Sequence, residues 1–316
     1  MLFFVLSGFL LSLPLAGTRE FLFREYLARR VLRIVPLYYT VLLGVIAYQT
    51  YTGSVAVRYL YISGGWPGLL EHMLFVSGSG IFWTIPAEFT FYLLLPFAAM
   101  FIIRTRYVGA ITIVGVAVFY GIYHNLVYFG LVDLPSLKVI DIHKHSQFLD
   151  VFLFGVLFGV ISNDQRVKAI YLKYSFVLDL LIALAFYLIL ALTLILVSRH
   201  FLIFDRPLSG FRQLSLAYAV IFGATLMSAH YQNPMLLGFL NNRNLVFCGV
   251  VGYSWYLLHM PVIALVNHLD LPSYLKFSVS TAVVAGVSTL TYLAIERPFI
   301  TLGKHLTRTY GQAVRA

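Results

Sequence analysis

The sequence predicts an all-α, polytopic integral membrane protein of about nine transmembrane helices, and three observations carry that prediction. The 316 residues are 60% hydrophobic and only 11% charged, where soluble domains carry about 25% charged residues. Mean hydropathy is +0.88. Apolar runs long enough to cross a bilayer recur along nearly the whole chain.

The spans fall at about 1–17, 32–50, 82–103, 107–128, 147–162, 172–197, 213–229, 245–268 and 274–296. The run at 147–162 is short, so it extends further or tilts. Trp66 to Gly78 is bounded by Gly and Pro and too short to span; it reads as an interfacial or re-entrant helix. No tandem repeat or separate soluble domain interrupts the pattern. Residues 1–300 read as one membrane domain and 301–316 as a short basic tail.

The charges orient the chain. Of the 22 Lys and Arg, fifteen fall on the side of the linker 18–31, including Arg24, Arg29, Arg30, Arg33, Arg104, Arg106, Arg166, Lys168, Lys173 and Arg297. Seven, among them Arg58, Lys138, Lys144 and Lys276, fall on the other. The positive-inside rule then makes the C-terminus cytoplasmic and the N-terminus external. It also accounts for the net charge of +10 without nucleic acid. An external, uncharged N-terminus suggests a segment before Met1. The single cysteine, Cys248, excludes disulfides within one chain.

Four groups carry candidate chemistry. Arg29, Arg30 and Arg33 sit at the mouth of the second span; Arg33 shares a helix face with each of the other two. Such a cluster suits a polyanion such as the phosphates of a nucleotide-containing cofactor; the alternative is topogenic charge with anionic lipid contact. Glu88 lies in the apolar run Trp83 to Pro96, where an acid is costly and is a functional candidate by default. Its span runs inward, so Glu88 falls about 8 Å below the outer boundary, and Pro86 frees a carbonyl one turn earlier. His259 falls in the outer half at a compatible depth, in Tyr253 to Pro261; the pair suits general-base chemistry. The alternatives are a helix-locking carboxyl and a histidine bonded to the carbonyl freed by Pro261.

Glu71-His72 belongs to the short apolar piece, as solvated interfacial groups or the lining of a vestibule. Asp141, His143, Lys144 and His145 form a polar loop without metal-ligand spacing, so no metal is expected. Glu296-Arg297-Pro298-Phe299 reads as a local ion pair or a helix stop. No phosphate-binding glycine loop, zincin motif or nucleophile elbow is present.

Five elements in order resemble membrane-bound acyltransferase family 3, the bacterial O-acyltransferases that include O-antigen acetylases. Phe3-Phe4-Val5-Leu6-Ser7-Gly8-Phe9-Leu10 is similar to its "FFxxSGFL" element, and Arg29-Arg30-Val31-Leu32-Arg33-Ile34-Val35-Pro36-Leu37-Tyr38 to "RRxxRIxPxY". Trp83 to Tyr92 resembles "WSLxxExxFY", Tyr253 to Pro261 "YSxYLxHxP", and Glu296 to Phe299 "ExPF". The resemblance implies transfer of an acyl group, commonly acetyl, from cytoplasmic acyl-CoA to a hydroxyl, usually of a sugar or glycan, at the cytoplasmic (inner) membrane. It implies acyl-CoA as co-substrate, no tightly bound cofactor, and the lipid bilayer rather than nucleic acid as surroundings.

Carried onto this chain, Arg29, Arg30 and Arg33 would hold the CoA phosphates. The pantetheine arm would pass Ser7, Gly8 and Phe9, where small residues permit close packing or a narrow channel. Glu88 and His259 would serve catalysis, and Trp83, Tyr92, Tyr253 and His72 the acceptor. Family members use a histidine on a preceding first helix in a "GLRG…H" element, and this chain opens at the second helix. The rival expectations are a transporter or flippase, against which stands the lack of two related halves, and an inactive remnant of the acyltransferase.

Overall fold

The computed structural model describes residues 1–17, 22–52, 62, 65–132, 148–198, 202–203, 206–207, 213–231, 238 and 241–315. They are helical almost throughout. The chain runs α1 (Leu2–Gly17), α2 (Phe23–Thr52), α3 (Gly65–Met73), a 3-10 turn (Gly80–Trp83), α4 (Thr84–Thr105), α5 (Tyr107–Tyr128), α6 (Leu149–Ile161), α7 (Gln165–Lys173) and α8 (Ser175–Ser198). A two-residue strand pair follows, β1 (Leu202–Ile203) against β2 (Arg206–Pro207). Then come α9 (Ser215–His230), α10 (Arg243–Val250), α11 (Gly252–Asn267), α12 (Ser273–Thr291), a π-turn (Tyr292–Glu296) and α13 (Arg297–Arg315). The protein is an all-α, multi-pass membrane protein. Among the described residues five helices are long and apolar enough to cross, or six if the bent pair α10–α11 is one span. Each of the nine expected spans is helical, but Leu2–Leu15, Leu149–Ile161 and Ser215–His230 fall below spanning length.

Three boundaries differ from the sequence reading. Helix α2 starts at Phe23, nine residues before the expected 32, so Arg24, Arg29 and Arg30 lie within it along with Arg33. The span expected at 245–268 bends by 70° at Val251, beside Gly249 and Gly252, whose lack of a side chain lowers helix propensity. The last helix does not stop at Glu296. Proline lacks an N–H and its ring collides with the carbonyl four residues back. The π-turn before Pro298 absorbs that defect: Arg297 N–H bonds Tyr292 O, one residue wider than in an α-helix. The helix then continues through the segment read as a tail.

The chain forms two compact units. One comprises α1, the later part of α4, and α5 to α9. Its α1–α6 contact is made by glycines, as membrane helices pack where small residues let backbones approach. A Cβ on Gly8 would meet Phe152 O and Val156 N, one on Gly155 would meet Val5 O, and one on Gly159 would meet Ser12 Oγ. Ser12 Oγ donates to Val156 O at 3.2 Å across the same contact. Phe91 stacks on Phe152 at 4.6 Å and meets Phe4 edge-on at 5.3 Å. Gly155→Ala is expected to destabilise by about 1–3 kcal/mol through overpacking. Gly115→Ala, with nothing within 4 Å of the new methyl, should gain about 0.5–1 kcal/mol from helix propensity. Thermal midpoints of the two variants in detergent should move in opposite directions; equal shifts would refute the glycine contact.

The other unit comprises α2, α3, the 3-10 turn, the start of α4, and α10 to α13. Tyr38 and Tyr39 of α2 donate to His72 O at 3.1 Å and Met73 O at 2.7 Å, which fixes α3 on α2. Phe75, left-handed at φ 57, turns the chain after α3. Its ring stacks on Phe89 at 4.4 Å, a contact that holds an otherwise disfavoured backbone state.

Candidate functional site

Of the expected site residues in the second unit, Glu88, Arg30, Arg33 and Tyr253 come together along one stretch of α2. Glu88 lies in the second turn of α4 and is 3% exposed. Pro86 occupies the first turn of that helix, where a missing N–H is harmless, so it makes no break.

Tyr26, one turn before Arg30 on α2, lies within electrostatic reach of both Arg30 and Glu88. The Arg30 guanidinium sits 5.9 Å from the Tyr26 ring centroid, a cation–π distance. Tyr253 of α11 lies within reach of Glu88, Glu296 and Arg33, and its hydroxyl donates to Ile34 O at 2.9 Å. The sequence reading set Glu88 near the outer boundary, with the arginines at the inner mouth. The structure places them around the same two tyrosines, because α2 carries its arginines inside the helix.

Arg29 differs from its neighbours. Its guanidinium is paired with Glu25 at 3.0 Å, one turn earlier, and it is exposed. Such a pair contributes little. Arg33 is exposed as well and lies within electrostatic reach of Glu296.

Glu296 reads from the sequence as part of a local ion pair or a helix stop and of the closing element that resembles "ExPF". It is 2% exposed, accepts the Ser254 hydroxyl at 2.8 Å and lies within reach of Arg33. It sits in the π-turn, a feature frequent at functional sites. The signals available in the sequence were a proline two residues after the carboxylate and the likeness of Glu296 to Phe299 to "ExPF".

His259 does not hydrogen-bond Glu88. Its Nδ1 donates to Tyr256 O at 2.6 Å, not to the carbonyl freed by Pro261, and in the neutral ring this leaves Nε2 as acceptor. Tyr256 links the two elements. Its hydroxyl donates to Ile81 O at 2.7 Å and accepts from Thr84 Oγ1 at 3.0 Å, pinning α11 to the start of α4, and it lies within reach of Glu88. Trp83 closes the 3-10 turn just before α4.

His72 is neither solvated nor open to a ligand. It is 1% exposed. Nδ1 donates to Gly68 O at 2.7 Å, and Nε2 accepts from Ser79 N–H at 3.0 Å. The ring therefore ties α3 to the loop that leads into α4. Burial holds its pKa below the ordinary 6.5, against the opposing effects of Gly68 O and Glu71. The folded state thus binds the proton less readily than the unfolded state. Its contribution to stability is full above pH about 6.5 and is lost as pH falls below that value. Proteolysis or hydrogen exchange of residues 65–79 should accelerate on acidification through that window. His72→Gln should remove the pH dependence; an unchanged profile in the variant would refute it.

Ser7, Gly8, Phe9 and Tyr92 belong to the first unit. Tyr92 is buried. Gly8 is closed by the backbone of α6 and Phe9 is buried. Of the two expectations for this segment, close packing is the one observed at Gly8: a face with no room for a methyl has none for a pantetheine chain. Asp141, His143, Lys144 and His145 lie outside the described residues. Among the described residues no three His, Cys, Asp or Glu stand together as a metal site.

A family model, Acyl_transf_3, described as an acyltransferase domain, matches residues 1–295. No curated protein and no solved structure matches the chain.

Proposed function

The chain belongs to the Acyl_transf_3 family of acyltransferase domains, and from that premise we propose that it transfers an acyl group, commonly acetyl, from acyl-CoA to a hydroxyl of a sugar or glycan at the cytoplasmic membrane, with its C-terminus inside. The observation that carries this reading is the convergence of the buried Glu88 with Arg30 and Arg33 around Tyr26 and Tyr253. The residues suit the donor: the exposed Arg29 and Arg33 and the adjoining Arg30 offer planar, permanently charged donors of the kind that hold phosphate.

In the reaction the acceptor oxygen attacks the thioester carbonyl carbon. A C–O bond forms, negative charge gathers on the carbonyl oxygen, and the C–S bond breaks to release the CoA thiol. Glu88 takes the proton lost by the hydroxyl, in a dry setting where such transfer is effective, and returns it to the departing thiolate sulfur, which leaves as the CoA thiol. The guanidinium charge of Arg33 stabilises the developing oxyanion. Glu296, bonded to Ser254, places a carboxylate within electrostatic reach of Arg33.

The test supplies the purified protein in nanodiscs with radiolabelled acetyl-CoA and a panel of soluble and lipid-linked saccharides. Acceptor-dependent release of CoA thiol with label on the saccharide is expected. Label that crosses the membrane or binds without covalent transfer would overturn the reading in favour of transport.

A further inference from the structure

The second unit holds a cavity of about 600 Å³ between the faces of α2, α11 and α12 with its π-turn. Val41, Gly44, Leu258, Ala264, Leu290 and Ala294 line it. Small residues make the space: a Cβ on Gly44 meets nothing within 4 Å.

Two of its polar residues present no polar group to an occupant. Thr40 donates its hydroxyl to Pro36 O at 2.8 Å and Thr291 to Val287 O at 2.5 Å, each within its own helix. Both therefore turn methyl groups to the space. The remaining polar residues, Tyr48, Gln49 and His268, gather at one end. At that end Lys276 Nζ bonds Asn267 O at 3.1 Å, and α12 begins at Ser273. A lysine and a helix N-terminus together favour an anion.

The geometry points to a binding site for one hydrocarbon chain of an anionic membrane lipid, its headgroup held at the Gln49–His268–Lys276 end. An apolar interior without polar demands, inside membrane-spanning helices, excludes a sugar or a nucleotide from the space. The cationic end selects the headgroup. The site stands apart from the acyl-transfer reading and is tested without turnover.

The full chain is reconstituted in phosphatidylcholine nanodiscs doped with phosphatidylglycerol carrying a photoactivatable tail, irradiated, and mapped by peptide mass spectrometry. Labelling of the cavity walls at Val41, Val45, Leu258 and Ile295 is expected to exceed that of the exposed face of α8, at Leu180 and Leu184, by about tenfold. Gly44→Leu fills the space and should lower cavity labelling by about tenfold, with the elution profile unchanged. Lys276→Gln should reduce labelling by the glycerol lipid to that of a phosphatidylcholine probe with the same tail. Even labelling of α8 and the cavity in the unsubstituted protein would overturn the proposal. So would insensitivity to Gly44→Leu in a folded variant, or equal labelling by the phosphatidylcholine probe. The comparison in the unsubstituted protein decides the matter even if Gly44→Leu fails to fold.

Discussion

Glu88→Gln is expected to lower kcat for acyl transfer by about 10²–10⁴-fold, the range of a positioned general base. The change keeps shape and volume and removes only the capacity to hold a proton as a carboxylate. Glu88 is buried, so a smaller replacement would leave a cavity and confuse loss of packing with loss of chemistry. The amide keeps the side chain's bulk and hydrogen-bonding reach. Thermal midpoint and membrane insertion should therefore match those of the unsubstituted protein while turnover falls. Turnover within tenfold of normal would make Glu88 a structural acid and would move the proton to another group. His259, with Nε2 left as acceptor by the bond from Nδ1 to Tyr256 O, is the next to test.

Arg30→Ala combined with Arg33→Ala should act mainly on the donor. A charge-assisted hydrogen bond contributes about 1.5–3 kcal/mol. Two of them lost should raise KM for acyl-CoA by at least about a hundredfold. Lysine at both positions should restore part of the binding, because it keeps charge without the planar fork. Arg29→Ala should matter least, since Arg29 is exposed and paired with Glu25 at 3.0 Å. If Arg33 also stabilises the transition state, kcat falls as well in its single variant but not in Arg30→Ala. An unchanged KM in the double variant would remove the CoA phosphates from this stretch of α2.

The two experiments probe one locus rather than two faces of a membrane. Counting residues inward from a supposed boundary put Glu88 in the outer half. Depth along one helix is not distance from another, so the count carries no information on what Glu88 lies near. The position of Glu88 relative to α2 is set by the tyrosines on α2 and α11 and by the way Tyr256 anchors the start of α4. The same limit applies to Gly8. A small residue in an apolar helix fits a channel or a contact equally well, and only the partner backbone at Phe152 and Val156 decides for contact. His72 looked like a surface group because a polar pair in a short amphipathic piece usually is one. Gly68 and Ser79 bury it by saturating both nitrogens.

Glu296 teaches the converse. The motif Glu-Arg-Pro-Phe was visible, and the proline suggested an end. A π-turn lets the helix pass the proline and turns the carboxylate inward to Ser254. Sequence periodicity assumes a regular helix and has no term for one extra residue in a turn.

Composition and hydropathy alone determined that this is a helical, multi-pass membrane protein, and ordered motifs along the chain indicated its family. The first follows from the cost of exposing backbone and charge to hydrocarbon, which one chain pays residue by residue wherever it lies. Which buried acid meets which arginine, which glycine is a contact and where a hydrocarbon-sized space remains were decided only by the tertiary structure. Those depend on the azimuth and bend of each helix, set by pairs of residues as distant as Ser254 and Glu296 or Tyr253 and Ile34.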